Sequence, residues 1–265
     1  MPDDRFLRAF DTAASDFDRL GQHLWKPIGQ ATVDLTAPSA GQRVLDACCG
    51  TGASAIPAAH RVGDTGHVDA VDLSAPLIKE LRRLAAGLPS LRPHTADVTA
   101  WPGTGYDVVQ AVLGIFFFPD MAAGTEHLIR CARPGGRVGL TIWRRGALEV
   151  VGRHLQQAVA RVTGKPAPPR PASPIETISD ADAYGEWLSQ RGLTSVTVHT
   201  REMRLRLTPE IAWLTITGSG FVATLSGMDA PRIAGVRDAY LEALSQAGVT
   251  EFDATTLIGI GTPAG

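Results

Sequence analysis

The 265-residue chain is poor in cysteine and in aromatic residues, and it carries no surplus of either charge. Three cysteines, two of them adjacent (Cys48 and Cys49), cannot form a disulfide framework and fit no metal-ligand spacing. No metal is therefore expected, and a reducing cytoplasm is the expected compartment. Lys+Arg 25 against Asp+Glu 27 gives net −2 with histidine neutral. That balance argues against nucleic acid or an anionic membrane as the main partner. The longest uncharged run, residues 211–228, holds Thr215, Thr217, Gly218, Ser219, Gly220, Thr224, Ser226 and Gly227, too polar for a membrane span. Asp3, Asp4 and Asp11 interrupt the N-terminus, so no targeting segment is expected. With 44% hydrophobic and 20% charged residues the chain reads as an ordinary soluble globule, not a disordered one.

What is present is alternation. Leu7, Phe10, Ala14 and Phe17 recur at helical spacing, and a second helix is expected over about Ile28 to Ala37. Short apolar runs at Val44–Ala47, His67–Asp72, Pro93–Val98, Tyr106–Leu113 and Arg137–Trp143 then alternate with helical stretches, and Pro134-Gly135-Gly136 reads as a turn. This pattern predicts a doubly wound parallel α/β sheet with right-handed crossovers. Beyond Trp143 the alternation breaks. Five prolines between Thr163 and Pro174 mark an exposed connector, and Leu193 to Leu207 and Phe252 to Gly261 read as two late strands. The expected organisation is one compact domain. A helical cap (1–40) precedes an α/β core (41–145), helical lid segments follow (146–192 and 208–250), and 193–207 and 251–265 supply the final strands.

Gly50-Thr51-Gly52 sits between a strand and a helix start, where a ligand can approach bare backbone. Gly50-x-Gly52-x-x-Ala55, with Asp72 twenty positions beyond Gly52, also fits a relaxed dinucleotide fingerprint, so a nicotinamide oxidoreductase stays open. Asp46, however, stands four residues before Gly50, where it suits an ammonium group and would repel a pyrophosphate. Asp46, Asp72 and Asp97, spaced by 26 and 25 residues, each end a successive strand. Asp72 can accept from ribose hydroxyls, and Asp97 with the Val98 N–H can serve an adenine. The combination suits a cationic, phosphate-free nucleoside.

Val44-Leu45-Asp46-Ala47-Cys48-Cys49-Gly50-Thr51-Gly52 resembles motif I of the class I S-adenosylmethionine (SAM)-dependent methyltransferases. Ala70–Ser74, Thr95–Val98, Tyr106–Val109 and Arg133–Arg137 resemble the following motifs in order, covering about residues 40–143. The flanks, Phe17-Asp18 and Trp213 to Tyr240, are similar to bacterial small-molecule enzymes of the ubiquinone/menaquinone-biosynthesis type. The resemblance implies a seven-stranded Rossmann-like sheet in order 3-2-1-4-5-7-6 with the last strand antiparallel. It also implies SAM as cofactor, S-adenosylhomocysteine (SAH) as product, and a cofactor site drawn from Phe17, Asp46, Ala47, Cys48, Gly50, Thr51, Gly52, Asp72, Leu73, Asp97, Val98 and Ala111. Trp25 and Phe116 are expected in the acceptor pocket, Trp187 and Trp213 in its lid, and His23 and His154 are the candidate bases. Cys48-Cys49 departs from the single small residue usual in that loop and reads as packing. Gln110–Gly114 lacks the Asn/Asp-Pro-Pro-aromatic signature of amino-methylating enzymes. The acceptor is expected to be a small natural-product intermediate or a modified peptide, taken by a monomer or homodimer on oxygen, nitrogen or carbon. A SAM-binding protein without transferase activity is the remaining alternative.

Overall fold

The structure, a computed structural model, describes residues 4–165 and 174–264, without the side chains of 4–10 and 12. The side chains of Leu7 and Phe10 and the proline-rich stretch 166–173 lie outside the described residues. Among the rest, seven strands form one sheet: β1 (Arg43–Ala47), β2 (His67–Asp72), β3 (Leu91–Thr95), β4 (Tyr106–Val112), β5 (Ala132–Trp143), β6 (Leu193–Arg201) and β9 (Thr256–Pro263). Their order is β3-β2-β1-β4-β5-β9-β6, and β9 runs antiparallel to both neighbours. Counted within the sheet, this is the expected 3-2-1-4-5-7-6.

Helices α2 (Trp25–Thr36), α3 (Ala55–Val62) and α4 (Ala75–Leu84) cover one face, while α5 (Met121–Cys131) and α7 (Ala181–Gln190) cover the other. Strand alternation sets this division: Val44 and Val108 face α3, whereas Leu45, Ala47 and Val109 pack toward α5. Each fully buried branched side chain contributes about 1.5–3 kcal/mol, so the two faces dominate the stability of the sheet. Helix starts are marked in the sequence. Ser74, Asp120 and Asp180 accept hydrogen bonds from Leu77, Ala123 and Ala183 N–H groups at the starts of α4, α5 and α7.

A third core lies apart from the sheet. It joins α6 (Glu149–Thr163), α8 (Pro209–Thr217) and α9 (Ala230–Gln246) to Leu20, Leu24 and Ile28. Here the expected single strand over Leu193 to Leu207 is corrected. The chain leaves the main sheet after Arg201 and forms β7 (Arg204–Arg206), which among the described residues pairs only with β8 (Glu251–Asp253). The late strand breaks at the matching place, before Thr256. The cause is packing: Leu205 and Phe252 turn into the helical core, while Asp253 accepts from the Thr255 N–H and pairs with Arg144 at 2.8 Å. Pro134-Gly135-Gly136 is likewise part of β5, as an irregularity between the Tyr106–Ala132 and Val108–Arg137 pairs that Gly135 absorbs at φ +70. Trp187 stacks on Tyr184 on the outer side of the sheet rather than in a lid.

Candidate functional site

The carboxyl ends of β1, β2 and β4 meet at the loop after β1, where the strand order reverses direction. Three residues of that loop have positive φ: Cys48 at 55°, Gly50 at 53° and Gly52 at 94°. Glycine is required at two of them. A Cβ on Gly52 would lie 2.5 Å from Leu81, and one on Gly50 would lie 3.0 Å from the Phe17 ring. Phe17 belongs to α1 (Asp4–Gly21), which therefore lies over the loop. The Ser74 hydroxyl donates to Asp11 of the same helix at 2.6 Å. Cys48 packs against Gly114 of the loop after β4, where a Cβ would come within 2.4 Å of its own. Burial raises the thiols of Cys48 and Cys49 well above their usual range, with Asp72 and Asp46 adding to it. They stay protonated and act as small packing groups.

Asp72 holds the loop from β2. Its carboxylate accepts the Gly50 N–H at 2.9 Å and the Ser74 N–H at 2.9 Å. Burial raises its pKa against these bonds, and Asp11 adds to the rise. Leu73 beside it is the one large apolar side chain left exposed among the described residues, at 37%. Asp97 accepts from the Thr99 N–H and hydroxyl through Oδ1 and caps a short 3₁₀ turn, Val98–Ala100. Ala47 and Ala111 are buried neighbours in β1 and β4, and Thr51 is buried in the loop.

Asp46 is fully buried. Its Oδ2 accepts from Gln110 Nε2 at 2.6 Å, and Gln110 Oε1 accepts from the Thr36 hydroxyl at 3.0 Å, linking β1 through β4 to α2. Among the described residues Asp46 Oδ1 has no hydrogen-bond partner. Burial pushes the carboxyl up to about 7, against the lowering influence of Gln110 and the Ser54 hydroxyl. The sequence reasoning missed Gln110, although a polar residue between Val109 and Ala111 in an apolar strand signals a buried partner.

Aromatic rings extend from the loop toward the end of β5. Phe17 stacks on Trp25 at 5.3 Å, and Trp25 lies 6.3 Å from Trp143. Phe116 follows β4 and, like Trp143, packs against both the sheet core and the helical core. Trp25 Nε1 is buried without a partner among the described residues. The two histidines differ. His23 is exposed in the turn before α2, whereas His154 is buried in the helical core and donates through Nδ1 to the Val150 carbonyl at 2.9 Å. Among the described residues neither pairs with a carboxylate. Trp213 lines a separate groove of about 430 Å³ between α1, α8 and α9. Arginines along the surface carry ion pairs and caps: Arg133 pairs with Asp107, Arg144 with Asp253, Arg145 with Asp180, and Arg137 donates to the Thr36 carbonyl at the end of α2.

Residues 44–136 match the family described as methyltransferase domain. The chain is similar to the aklanonic acid methyltransferase DauC of Streptomyces sp. strain C5, with 36% identity over 138 residues covering 51% of this chain and 63% of that protein. It is also similar to nocamycin O-methyltransferase of Saccharothrix syringae, with 36% identity over 136 residues covering 50% and 49%. The matches thus span about half to under two thirds of these relatives. The YcgJ protein of Bacillus subtilis shares the fold of the methyltransferase domain and its surroundings. It superposes with a TM-score of 0.61 over 89% of this chain and 98% of that one, at 15% identity. No helix among the described residues is long and apolar enough to cross a membrane.

Proposed function

We propose that the chain transfers a methyl group from SAM to an oxygen of a small natural-product acceptor. The observation that carries the cofactor assignment is the buried Asp46, with one carboxylate oxygen unpartnered beside a glycine loop that Asp72 holds open. An orphaned buried oxygen is costly unless a donor arrives, and the ammonium of a methionine moiety is such a donor. The residue types at the site fit the rest of the cofactor. Asp72 retains acceptor capacity for ribose hydroxyls, Leu73 offers an uncovered apolar surface to a purine, and Asp97 with the Val98 N–H presents an acceptor and a donor to its edge. Ala47, Cys48, Gly50, Thr51, Gly52 and Ala111 form the floor, and Phe17 closes over it.

When bound, SAM supplies an activated methyl on sulfonium. The protein's work is then to align the acceptor and exclude water. Trp25, Trp143 and Phe116 provide apolar walls for that purpose, at the end of the sheet that carries the glycine loop. An acceptor oxygen already ionised at neutral pH needs no protein base, which agrees with His154 being committed to a backbone carbonyl and His23 being exposed. The names of the two relatives, one acting on an acid and one an O-methyltransferase, support oxygen over nitrogen or carbon.

Calorimetry with SAH and with NAD tests the cofactor. SAH binding without NAD binding is expected, and the reverse would overturn the assignment in favour of hydride transfer. Transfer of radiolabelled methyl from SAM to a panel of carboxylic and phenolic natural products tests the rest. Labelled product sensitive to mild base, as an ester is, supports oxygen. Label confined to nitrogen or carbon, or SAH binding with no transfer to any fraction of producing-cell extract, would overturn it.

A further inference from the structure

A second buried carboxylate lies away from the glycine loop, on the α5 face of β2. Asp69 is 7% exposed and accepts three hydrogen bonds. His67 Nε2 and the Tyr106 hydroxyl reach Oδ2, each at 2.8 Å, and His94 Nε2 reaches Oδ1 at 2.8 Å. Burial opposes ionisation, but these three donors outweigh it and hold the carboxyl below its usual range. An ionised carboxylate only accepts, so both imidazoles carry their proton on Nε2. Burial and the Asp69 charge push the Tyr106 phenol up to about 12, so it remains a donor.

The network does not end at Asp69. Tyr106 accepts in turn from Trp101 Nε1 at 2.9 Å, and the Trp101 ring lies 4.9 Å from the His94 ring. A Cβ on Gly103 would lie 2.5 Å from the Tyr106 hydroxyl and 2.6 Å from Trp101 Nε1, so the local backbone is built around this bond. His127 of α5 donates to the Trp101 carbonyl at 3.0 Å, a second tether on the same residue. The placement is informative. His94 sits on the strand that enters the 96–101 loop, and Trp101 terminates the 3₁₀ turn that Asp97 begins. Asp69 itself is three residues before Asp72 on β2.

We propose that Asp69 is a positioning residue for the cofactor's adenine-ribose half, fixing the loop that carries Asp97 and Val98 at both of its ends to the strand that carries Asp72. This rests on the cofactor assignment above. Asp69 touches none of the cofactor. It sets the distance between the ribose acceptor on β2 and the adenine-edge groups after β3, through His94 on one side and Tyr106–Trp101 on the other. Without that hub each side of the nucleoside would still have its partner, but the loop would have to be ordered on binding, and affinity would fall accordingly.

The test uses the full chain and two probes, SAH and 5′-methylthioadenosine, which share the nucleoside but differ in the amino-acid half. Two variants sever the network while keeping the rings: Tyr106→Phe removes one hydroxyl, and His94→Phe keeps the Trp101 ring contact and removes the bond to Asp69. His94 is partly exposed, so the second variant remains informative if the first fails to fold. Each is expected to weaken both probes by the same factor, about threefold to tenfold for one lost hydrogen bond. Ile216→Val, in the helical core, serves as a control for general destabilisation and should leave both affinities unchanged. Unchanged affinity in folded Tyr106→Phe or His94→Phe, or a loss confined to SAH, would overturn the positioning role. Failure of the wild type to bind either probe would instead overturn the cofactor assignment.

Discussion

Replacing Asp46 by Asn separates the cost of a buried charge from its use. Asp46 is fully buried, and its carboxyl is pushed from 3.8 to about 7 chiefly by desolvation. A pKa raised on folding means the folded state binds the proton more tightly than the unfolded chain does. The associated stability is complete below the unfolded value near 3.8 and is lost as pH rises through about 7. A rise of about three units at about 1.4 kcal/mol each amounts to roughly 4 kcal/mol of differential stability between pH 4 and pH 8. Asn keeps the shape and still accepts from Gln110 Nε2, but it has no charge to desolvate. Asp46→Asn should therefore unfold at higher temperature than wild type at pH 8, by a margin that closes as pH falls toward 5.

The same substitution should harm cofactor binding. If the ligand's ammonium pairs with the ionised carboxylate, SAH affinity in the wild type should fall on acidification, because the proton must first be removed. From pH 8 to pH 5.5 a group with pKa about 7 imposes about a thirtyfold loss by linkage. In Asp46→Asn the affinity should be lower at pH 8 by about 1.5–3 kcal/mol, the contribution of a charged hydrogen bond, and should not follow this slope. Urea unfolding and calorimetry at half-unit intervals from pH 5 to 8.5 provide both readouts. Parallel stability curves for wild type and variant would refute the reasoning, because they would mean that Asp46 is no more protonated in the folded state than in the unfolded one.

Three further outcomes follow from the geometry. Gly50→Val places a branched side chain at φ +53 against Phe17; it should cost about 1–2 kcal/mol in backbone strain and abolish the SAH-induced thermal shift while the circular dichroism spectrum stays native. Asp72→Ala frees the Gly50 N–H as well as removing a ligand acceptor, and should weaken SAH by about 1.5–3 kcal/mol, with unchanged calorimetric affinity removing Asp72 from the site. His154→Ala should lower the melting temperature because it empties a buried position, whereas His23→Ala should not. Neither should slow turnover by more than about 10²-fold, and a pH–rate limb that vanishes in one variant would identify that histidine as a base.

The sheet was legible because its evidence is local. Val44–Ala47, His67–Asp72 and Tyr106–Val112 are apolar runs bounded by glycine or capping residues, and parallel order follows from the helices between them. Asp46 and Asp72 were legible for the same reason; Asp97 was expected to end the third strand, but β3 stops at Thr95 and Asp97 begins the 3₁₀ turn beyond it. What failed were features fixed by distant partners. Alternation continues through Arg204-Leu205-Arg206, so nothing in the sequence announces that Leu205 leaves one sheet to join Phe252 in another core. The pairing of Arg144 with Asp253 is likewise set by a partner 109 residues away. The two polar hubs were missed similarly. Gln110 gathers Thr36 and Asp46 from 74 and 64 residues away, and Asp69 gathers His94 and Tyr106 from 25 and 37. A buried polar residue in a strand predicts that a partner exists, not which one.

The two hubs lie on opposite faces of the same sheet, and the opposition has a physical basis. Successive residues of a strand point to opposite sides, so β2 and β1 cannot present all of their polar groups to one ligand. Asp69 is directed to the α5 face with both oxygens engaged, whereas Asp46 is tied toward α2 through Oδ2 and has Oδ1 left for a ligand beside the loop after β1. Each hub then ties one portion of that edge to a different helix: Asp46 through Gln110 to α2, and the 96–101 loop through Trp101 to His127 of α5. The aromatic walls are held by yet another unit, the helical core that meets the sheet core through Phe116 and Trp143. Sites that share no partners contribute nearly additively, but the cofactor loop and the acceptor wall are joined where Phe17 stacks on Trp25, so changes at that pair should couple. Of the wall residues, Trp25 and Trp143 lie outside 44–136 and Phe116 within it, so acceptor specificity draws on both the matched stretch and its surroundings.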